Sequence, residues 1–325
     1  MNYVIGFDGG GTKTRCVLGD LQGNILADAI SGPSNHQMTG PDTTKNVLKT
    51  LFNQVLTQTQ VNKDHISFIF LGLAGADIPS DFELLNGICK DLFGQIPFEV
   101  VNDSWIIMRS GTKEPYGAVS IYGTGANAAA INSQGKMSIL RALGHPFGAA
   151  GGGYEISQDA LHYAFRSNEK TYKKTALEDH IPKLMGYKDI ESLLSDMYPE
   201  NKLGQDILRK ITPLVFDLAH KGDEVCIEIL DRKGRTQGEM INGVIEQSGM
   251  TGQAFPIILG GSVFKGVGHT FKNSIARTVH SKSPQADFIF STLEPVAGAY
   301  LFALDRIKVS LDQRAYNNLK GALTI

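Results

Sequence analysis

Residues 5–14, with the sequence IGFDGGGTKT, constrain the fold of this chain more than any other stretch. An apolar segment ends in an aspartate and three glycines, and a second apolar segment begins directly after them. Glycines let backbone N–H groups close on an anionic oxygen because no Cβ stands in the way. The pattern therefore predicts a strand, a phosphate-binding turn and a second strand.

The side chains of this turn indicate how it would hold a phosphate. The residues expected to bind it offer a free backbone N–H or a side-chain donor, and they are Gly10, Gly11, Thr12, Lys13 and Thr14. Asp8 would be repelled by phosphate unless a cation lay between them. We therefore expect Asp8 to hold Mg²⁺ or a water of its hydration shell.

Two better-known glycine loops do not fit this turn. A Walker loop requires Lys and then Ser or Thr directly after Gly-x-x-x-x-Gly, but Thr12 separates Gly11 from Lys13. The dinucleotide fingerprint requires a glycine where Thr14 stands, and a helix where a strand is predicted. Taken alone, the glycine run is also compatible with an ordinary hairpin turn.

A second stretch, residues 117–131 (GAVSIYGTGANAAAI), repeats the plan of the first. An apolar segment enters a Gly-Thr-Gly turn at 123–125, and another apolar segment leaves it. Two such hairpins could hold one nucleotide from opposite sides. We therefore expect Thr124 and Gly125 to contact the same phosphates as the first turn.

Seven short motifs, taken together in their order and spacing, resemble one superfamily over nearly the whole chain. They are DGGGTKT at 8–14, GPSNH at 32–36, LAGAD at 73–77, ND at 102–103, GTGAN at 123–127, LGGSV at 259–263 and PVAGA at 295–299. The chain resembles the sugar kinase, heat-shock ATPase and actin superfamily. Within it, the sequence is most similar to N-acetylglucosamine kinases and the related BadF/BadG/BcrA/BcrD ATPases.

The resemblance implies an α/β fold of two actin-like (ribonuclease H-like) domains with an ATP cleft between them. A polar break at 111–115 predicts domains of 1–115 and 116–325. Apolar periodicity favours a β-β-β-α-β-α-β order in the first domain and a helical stretch at 173–249 in the second. A last helix, beginning near Val309, could pack back on the first domain.

Asp103 is the residue that we expect to perform chemistry. It follows a predicted parallel strand, at the edge where α/β sheets place their ligands, and it precedes a helix. Propensity alone would make it the N-cap of that helix. The resemblance implies a general base that takes a proton from the acceptor hydroxyl as the hydroxyl attacks the γ-phosphate of ATP.

The resemblance also implies two further groups of ligand-binding residues. Those expected to contact the sugar are Asn35, His36, Gly75, Asp103 and Gly144, and those expected to border the adenosine are Gly260, Gly261 and Ser262. From residue types alone, Asn35 is better explained as a turn or helix-cap residue.

The chain departs from its relatives at 148–152, where GAAGG replaces the usual Gly-Asp-Glu-Gly-Ser. The absence of carboxylates at Ala149 and Ala150 puts glucosamine-type recognition in doubt. It also removes negative charge, so we hypothesise that an acidic amino sugar such as N-acetylmuramic acid is accepted. Tyr154 or Glu155 could instead replace the lost acceptor.

Composition excludes several other classes of function. The chain has 31 Lys and Arg residues against 33 Asp and Glu residues, and no basic tail or patch suggests nucleic acid or an anionic membrane as a partner. No run approaches the ~20 apolar residues needed to span a bilayer, so a cytoplasmic protein is expected. Three scattered cysteines, Cys16, Cys89 and Cys226, argue against an iron–sulfur cluster.

We therefore predict an ATP- and Mg²⁺-dependent kinase whose partner is a small amino sugar, with a homodimer left open. One alternative is an ATPase of the reductase-activator or chaperone type, which uses domain closure to move a partner. The other is a sugar-sensing relative without catalytic activity, which Ala149 and Ala150 keep open.

Overall fold

The computed structural model describes residues 2–143, 145–198 and 209–325. Its first sheet has the strand order β3-β2-β1-β4-β5. The strands are β1 (Tyr3–Gly9), β2 (Thr14–Asp20), β3 (Ile25–Ser31), β4 (Ile66–Leu73) and β5 (Phe98–Asn102). β1, β2 and β3 are antiparallel, whereas β4 and β5 run parallel to β1.

The register of the parallel strands brings three loops to one edge of this sheet. Gly9 pairs with Leu73, and Leu73 pairs with Asn102. The loops that follow β1, β4 and β5 therefore leave the sheet side by side, at the edge where parallel sheets bind ligands.

Four helices lie in the first half of the chain, the last of them after β5. They are α1 (His36–Thr39), α2 (Pro41–Thr59), α3 (Pro79–Phe93) and α4 (Asp103–Gly111). Both α2 and α3 begin with proline at a position where the missing N–H is not needed by the helix. Their apolar stripes, including Leu48, Leu51 and Leu85, are fully buried against one face of the sheet.

The second sheet repeats the topology of the first. Its strands are β6 (Gly117–Tyr122), β7 (Ala126–Ile131), β8 (Met137–Ile139), β9 (Pro256–Gly260) and β10 (Asp287–Phe290). Their order is β10-β9-β6-β7-β8, which is the order of the first sheet with β6 in place of β1. The predicted α/β fold with two similar halves is therefore confirmed.

The remaining helices lie in the second half of the chain. They are α5 (Gly153–Asn168), α6 (Leu177–Leu184), α7 (Ile190–Met197), α8 (Ile211–His220), α9 (Glu224–Ser248), α10 (Thr270–His280), α11 (Pro295–Arg306) and α12 (Gln313–Leu323). No helix in the described ranges combines the length and apolar character that crossing a membrane requires.

Helices α4 and α11 form a layer between the two sheets. One apolar cluster joins Phe70 and Val4 of the first sheet to Val119 and Ile258 of the second through both helices. The helices cross closely at Gly298, where a Cβ would lie 1.8 Å from the Ile106 carbonyl oxygen.

The C-terminal helices also cover the first sheet. The rings of Phe302 on α11 and Phe70 on β4 are stacked with centroids 4.8 Å apart, and the Tyr300 hydroxyl donates to the Asp20 carbonyl at 2.6 Å. On α12, Asn318 donates to the Asn24 side chain. Packing between the halves thus crosses the boundary that we predict at 115/116.

Candidate active site

The first glycine turn presents several of its predicted phosphate ligands to solvent. The Gly10 N–H donates to the Lys13 carbonyl at 3.0 Å, which closes the turn between β1 and β2. Gly11, Thr12 and Lys13 are exposed and Gly10 is half-buried.

Thr14 does not belong with these residues, which corrects the expectation that it binds phosphate. Its side chain is fully buried. The hydroxyl lies 2.8 Å from both the Gly32 carbonyl and the Ser34 hydroxyl. Thr14 therefore fastens the loop after β3 to the hairpin and has no free surface for a ligand.

A group of carboxylates lies at the edge of the first sheet, beside this turn. Burial raises the pKa of Asp8 to about 6, opposed by Lys13 and Arg15 and reinforced by Glu294. Burial, and then the charges of Asp8 and Asp77, raise the pKa of Asp103 to about 7.

Asp103 is the first residue of α4, and the residue before it caps the helix. The Asn102 side chain accepts a hydrogen bond from the Ser104 N–H at 2.9 Å. The interpretation of Asp103 as an N-cap is thus wrong, because Asn102 fills that position. The Asp103 carboxylate does not have to serve as the cap of α4.

Two loops next to Asp103 carry the predicted sugar-binding residues of the first half. Asn35 caps α1 by accepting from the Gln37 N–H at 3.0 Å, so the structural interpretation of this residue holds. Gly75 has a φ of 87°, and a Cβ there would lie 2.6 Å from the Asn35 side-chain oxygen. Glycine at 75 therefore lets the two loops meet.

His36 is less accessible than its predicted contact with a sugar requires. Its ring is buried, and Nε2 lies 2.9 Å from Oδ1 of Asp81. Its Nδ1 is also buried and has no hydrogen-bond partner in the described residues. The geometry favours a role in holding the loop over direct contact with a ligand.

The second glycine turn stands at the start of α5. Thr124 and Gly125 are exposed, and the Gly123 N–H closes the turn by donating to the Gly125 carbonyl at 2.8 Å. The Gly153 N–H donates to the Gly123 carbonyl at 2.8 Å, so the turn is fixed on the helix N-terminus. Helix N-termini favour anions because their first N–H groups are unpaired.

A cavity of about 480 Å³ opens beside this turn. It is lined by the turn, the start of α5, part of α8 and the segment after β9, with Thr124, Tyr154, Phe216, Ser262 and Lys265 among the lining residues. Its size is within the range of small-ligand sites.

Of the residues predicted to border the adenosine, only Ser262 lines this cavity. Gly261 has a φ of 100° and lies against the Tyr122 carbonyl, while Gly260 packs against Ile107 of α4. We infer that the two glycines shape the wall behind Ser262. Predicted residue Gly144 lies outside the described residues.

The segment that replaces the relatives' acidic motif runs directly into α5. Glu155 forms an ion pair with Lys233 at 2.9 Å, which it would have to give up to replace the lost acceptor. Tyr154 lines the 480 Å³ cavity. Ala149 and Ala150 are half-buried.

Sequence reasoning missed three carboxylates near the site. Asp77 accepts a hydrogen bond from Asn102 at 2.8 Å, Asp81 contacts His36, and Glu294 lies 3.5 Å from Arg15. Asp77 ends a motif that the resemblance uses, and Glu294 precedes a proline that starts α11. Only Asp81 carries a clear local signal, as an acidic residue in the first turn of a helix.

The described ranges contain no group of three His, Cys, Asp or Glu side chains arranged to hold a metal ion. Mg²⁺ at phosphate sites commonly uses one or two carboxylates together with substrate oxygens and water. Asp8 fits such a role. Burial and Glu294 both disfavour its negative charge, and a bound cation would offset these unfavourable effects.

Comparison with known proteins first defines the fold. The ROK hexokinase from Thermus thermophilus superposes with a TM-score of 0.59 at 17% identity, covering 94% of this chain and 99% of that chain. The two repeated sheets thus have the same fold as this hexokinase.

Sequence comparison then gives the family. The model of the BadF/BadG/BcrA/BcrD ATPase family matches residues 5–303, and this chain belongs to that family. An N-acetylmuramic acid/N-acetylglucosamine kinase from Clostridium acetobutylicum is 28% identical over 93% of this chain and 98% of its own length. An N-acetyl-D-glucosamine kinase from Dictyostelium discoideum is 28% identical over 94% of this chain and 98% of its own length.

Proposed function

We propose that this protein is an ATP-dependent kinase of amino sugars and that Asp103 is its general base. The observation that carries the proposal is the position of Asp103. It starts a helix at the ligand edge of the first sheet, beside Asp8 and Asp77, and its pKa is raised to about 7. A base with a pKa near neutrality is suited to taking a proton from a sugar hydroxyl.

The nucleotide would be bound chiefly by the second half. The cavity beside Thr124 and Ser262 has room for a nucleoside, and the turn at 123–125 stands at a helix N-terminus. The exposed residues Gly11, Thr12 and Lys13 would hold the terminal phosphates from the other side, through backbone N–H groups and the side chains of Thr12 and Lys13. Mg²⁺ near Asp8 would neutralise phosphate charge when bound.

In this proposal, the protein positions the acceptor hydroxyl and takes up its proton. The loops that carry Asn35 and Gly75 would orient the acceptor hydroxyl toward Asp103. Asp103 would accept the hydroxyl proton as the oxygen bonds to the γ-phosphorus and the bond to ADP breaks. Asn102 contributes by capping α4, so the base itself is not needed as the cap.

The direct experiment measures ADP release with ATP and Mg²⁺ in the presence of individual sugars. We expect turnover with N-acetylglucosamine, N-acetylmuramic acid or both, and no comparable release without sugar. Equal ADP release with and without every sugar would contradict the kinase proposal and favour an ATPase. The buried positions of Cys16, Cys89 and Cys226 give no support to an iron–sulfur reductase activator.

The absence of carboxylates at Ala149 and Ala150 supports a wider acceptor range. We expect Ala149→Asp to lower kcat/KM for N-acetylmuramic acid more than for N-acetylglucosamine, because the new charge would repel the lactyl carboxylate. Ala149→Asn is the matched control, since it adds similar bulk without charge. Equal losses with both sugars would contradict charge exclusion.

Two further expectations stay predictions from the sequence: a cytoplasmic location and a homodimer.

A further inference from the structure

One buried carboxylate connects the two loops that we assign to the acceptor sugar. Asp81 is only 8% exposed. Its Oδ1 lies 2.9 Å from Nε2 of His36, the first residue of α1, directly after the loop that follows β3. Its Oδ2 accepts from the Ile78 and Asp77 N–H groups at 3.0 and 3.2 Å, on the loop after β4.

The same carboxylate is reinforced through Gln37. The Gln37 side-chain nitrogen lies 3.3 Å from Oδ2 of Asp81 and 3.1 Å from the Gly75 carbonyl. The Gln37 N–H in turn donates to the Asn35 side chain. Asn35 and Gly75 are thus held against each other by bonds that converge on Gln37, which also donates to Asp81.

A continuous set of hydrogen bonds runs from Asp81 to the turn that carries Asp103. Asp77, whose N–H binds Asp81, accepts at 2.8 Å from the Asn102 amide. Asn102 also caps α4 directly before Asp103. The loop after β3, the loop after β4 and the turn after β5 therefore share one polar framework.

We propose that Asp81 is a positioning residue for the acceptor sugar, fixing the loops of Asn35 and Asp77 relative to Asp103. The inference rests on the proposed function, because it assumes that the acceptor binds against these loops. The carboxylate is suited to this task. Burial acts to raise its pKa, but hydrogen bonds from the Ile78 backbone and the His36 side chain outweigh burial and hold the pKa below its usual range. Asp81 is thus ionised at neutral pH.

A simpler role is that Asp81 only caps α3. It is the third residue of α3, and its bond to the Ile78 N–H is the kind that such a residue makes. A cap alone explains neither the contact with His36 nor the contact with Gln37. A cap would also affect stability without a preference for one substrate, so kinetics can separate the two roles.

The experiment compares Asp81→Asn with wild type for both substrates. Loss of the anion should raise the KM for the sugar about tenfold or more, while the KM for ATP and kcat change by less than about threefold. Tenfold corresponds to about 1.4 kcal/mol, within reach of one or two hydrogen bonds to a charged group. Asp189→Asn is the control, because Asp189 caps α7 through the Ser192 N–H and is exposed. That variant should match wild type.

A second variant tests whether Asp81 acts through His36. Gln can offer a side-chain N–H in place of Nε2, so His36→Gln should raise the sugar KM less than His36→Leu does. In a double-mutant cycle, Asp81→Asn combined with His36→Leu should raise KM by less than the product of the single effects. Fully multiplicative effects would contradict the shared framework.

Amide hydrogen exchange supplies a readout that does not need activity. In Asp81→Asn, the amides of Asp77 and Ile78 should exchange faster, and those of α7 should not change. An unchanged sugar KM, or a parallel loss in Tm, ATP KM and kcat, would overturn the positioning role. If wild type phosphorylates no sugar, the proposed function fails. Direct sugar titration monitored through Trp105, the only tryptophan, then decides the inference: weaker sugar binding in Asp81→Asn upholds it, and unchanged or absent binding overturns it.

Discussion

At the scale of single residues, Asp103 is held in surroundings that oppose its charge. Burial is the largest cause, and Asp8 and Asp77 add negative charge nearby. Such surroundings make a carboxylate a better base and a poorer contributor to stability. Removing the charge of Asp103 should therefore lower the activity and raise the stability of the fold.

Asp103→Asn should lower kcat at least about 100-fold, because the amide cannot accept the hydroxyl proton. Affinity for ATP should stay within a few-fold of wild type. An unchanged kcat would leave Asp103 without a catalytic role. Asp91→Asn is a suitable control, since Asp91 is an exposed carboxylate paired only with Lys45 among the contacts described.

Asp103→Asn should also be at least as stable as wild type at high pH. The folded pKa of Asp103, about 7, is above its unfolded value, so the ionised carboxylate destabilises the fold. That effect is absent below the unfolded pKa and complete above about pH 7. We therefore expect the Tm gain of Asp103→Asn to be larger at pH 8 than at pH 5, measured without ligands. A lower Tm at pH 8 would contradict this reasoning.

The pH dependence of the reaction follows from the same shift. A base must be ionised to act, so kcat/KM for the sugar should fall as the pH is lowered through about 7. With an unperturbed aspartate, the fall would begin near pH 4. Measuring kcat/KM between pH 5 and 9, at saturating Mg²⁺ and ATP, distinguishes the two cases.

At the scale of elements, the two glycine turns have different surroundings. A Cβ at Gly11 would lie 3.0 Å from the Met38 sulfur, whereas one at Gly125 would have no atom within 4 Å. The φ angle of Gly125 is also not positive, so a residue with a side chain can adopt its backbone conformation. A side chain at 125 would therefore leave the protein intact and point into the open space beside the cavity.

Gly125→Val should lower ATP affinity about 100-fold or more with little change in Tm. The reason is that the new side chain would occupy the space where the backbone must approach a phosphate. Isothermal titration with ATP and Mg²⁺ measures the loss. Gly87→Val makes the same change in size at another open and exposed position, on α3, and should bind ATP normally. Normal ATP binding by Gly125→Val would contradict the model of two hairpins on one nucleotide.

The sequence predicts secondary-structure elements more reliably than it predicts tertiary contacts. Both hairpins are readable because turn glycines separate short apolar runs, and this local pattern fixes strand pairing. The burial of Thr14 is not readable, because it depends on Gly32 and Ser34, which meet Thr14 only in the folded sheet. The assignment of the α4 cap differs by one residue, Asn102 in place of Asp103, which is the usual uncertainty of helix ends.

Long-range neighbours were the least predictable part of the site. Nothing local to Glu294 indicates that it lies near Asp8, almost three hundred positions earlier in the chain. A partial signal exists for α11, because the nine residues from Val296 to Leu304 (VAGAYLFAL) include no charged residue, and all nine are buried. A helix that is apolar on all sides is enclosed, and here it is enclosed between two sheets.

At the scale of the whole molecule, the crossing of α4 and α11 sets how closely the halves approach. Gly298→Ala would place a methyl group on the Ile106 carbonyl, so the helices must separate. We expect a loss of about 1–3 kcal/mol in the free energy of unfolding, measured by urea denaturation. Sugar turnover should also fall, because both sheets shift relative to each other.

Gly321→Ala is the control for this crossing. Gly321 is exposed on α12, and a Cβ there would meet no atom within 4 Å. Alanine in an open helical position should be neutral or stabilising by up to about 1 kcal/mol. Equal stability of the two variants would show that the close approach at Gly298 is tolerated by small adjustments.

The packing of α11 and α12 on the first sheet has a consequence for how the protein is made. When a ribosome has finished residue 115, the apolar surface around Phe70 still lacks its cover, because Phe302 and Tyr300 come almost two hundred residues later. The nascent first half therefore keeps this apolar surface exposed until α11 has been synthesised. A polypeptide that stops before Pro295 would lose more than α11 and α12, because the first sheet, although made early, would lack the helices that cover it.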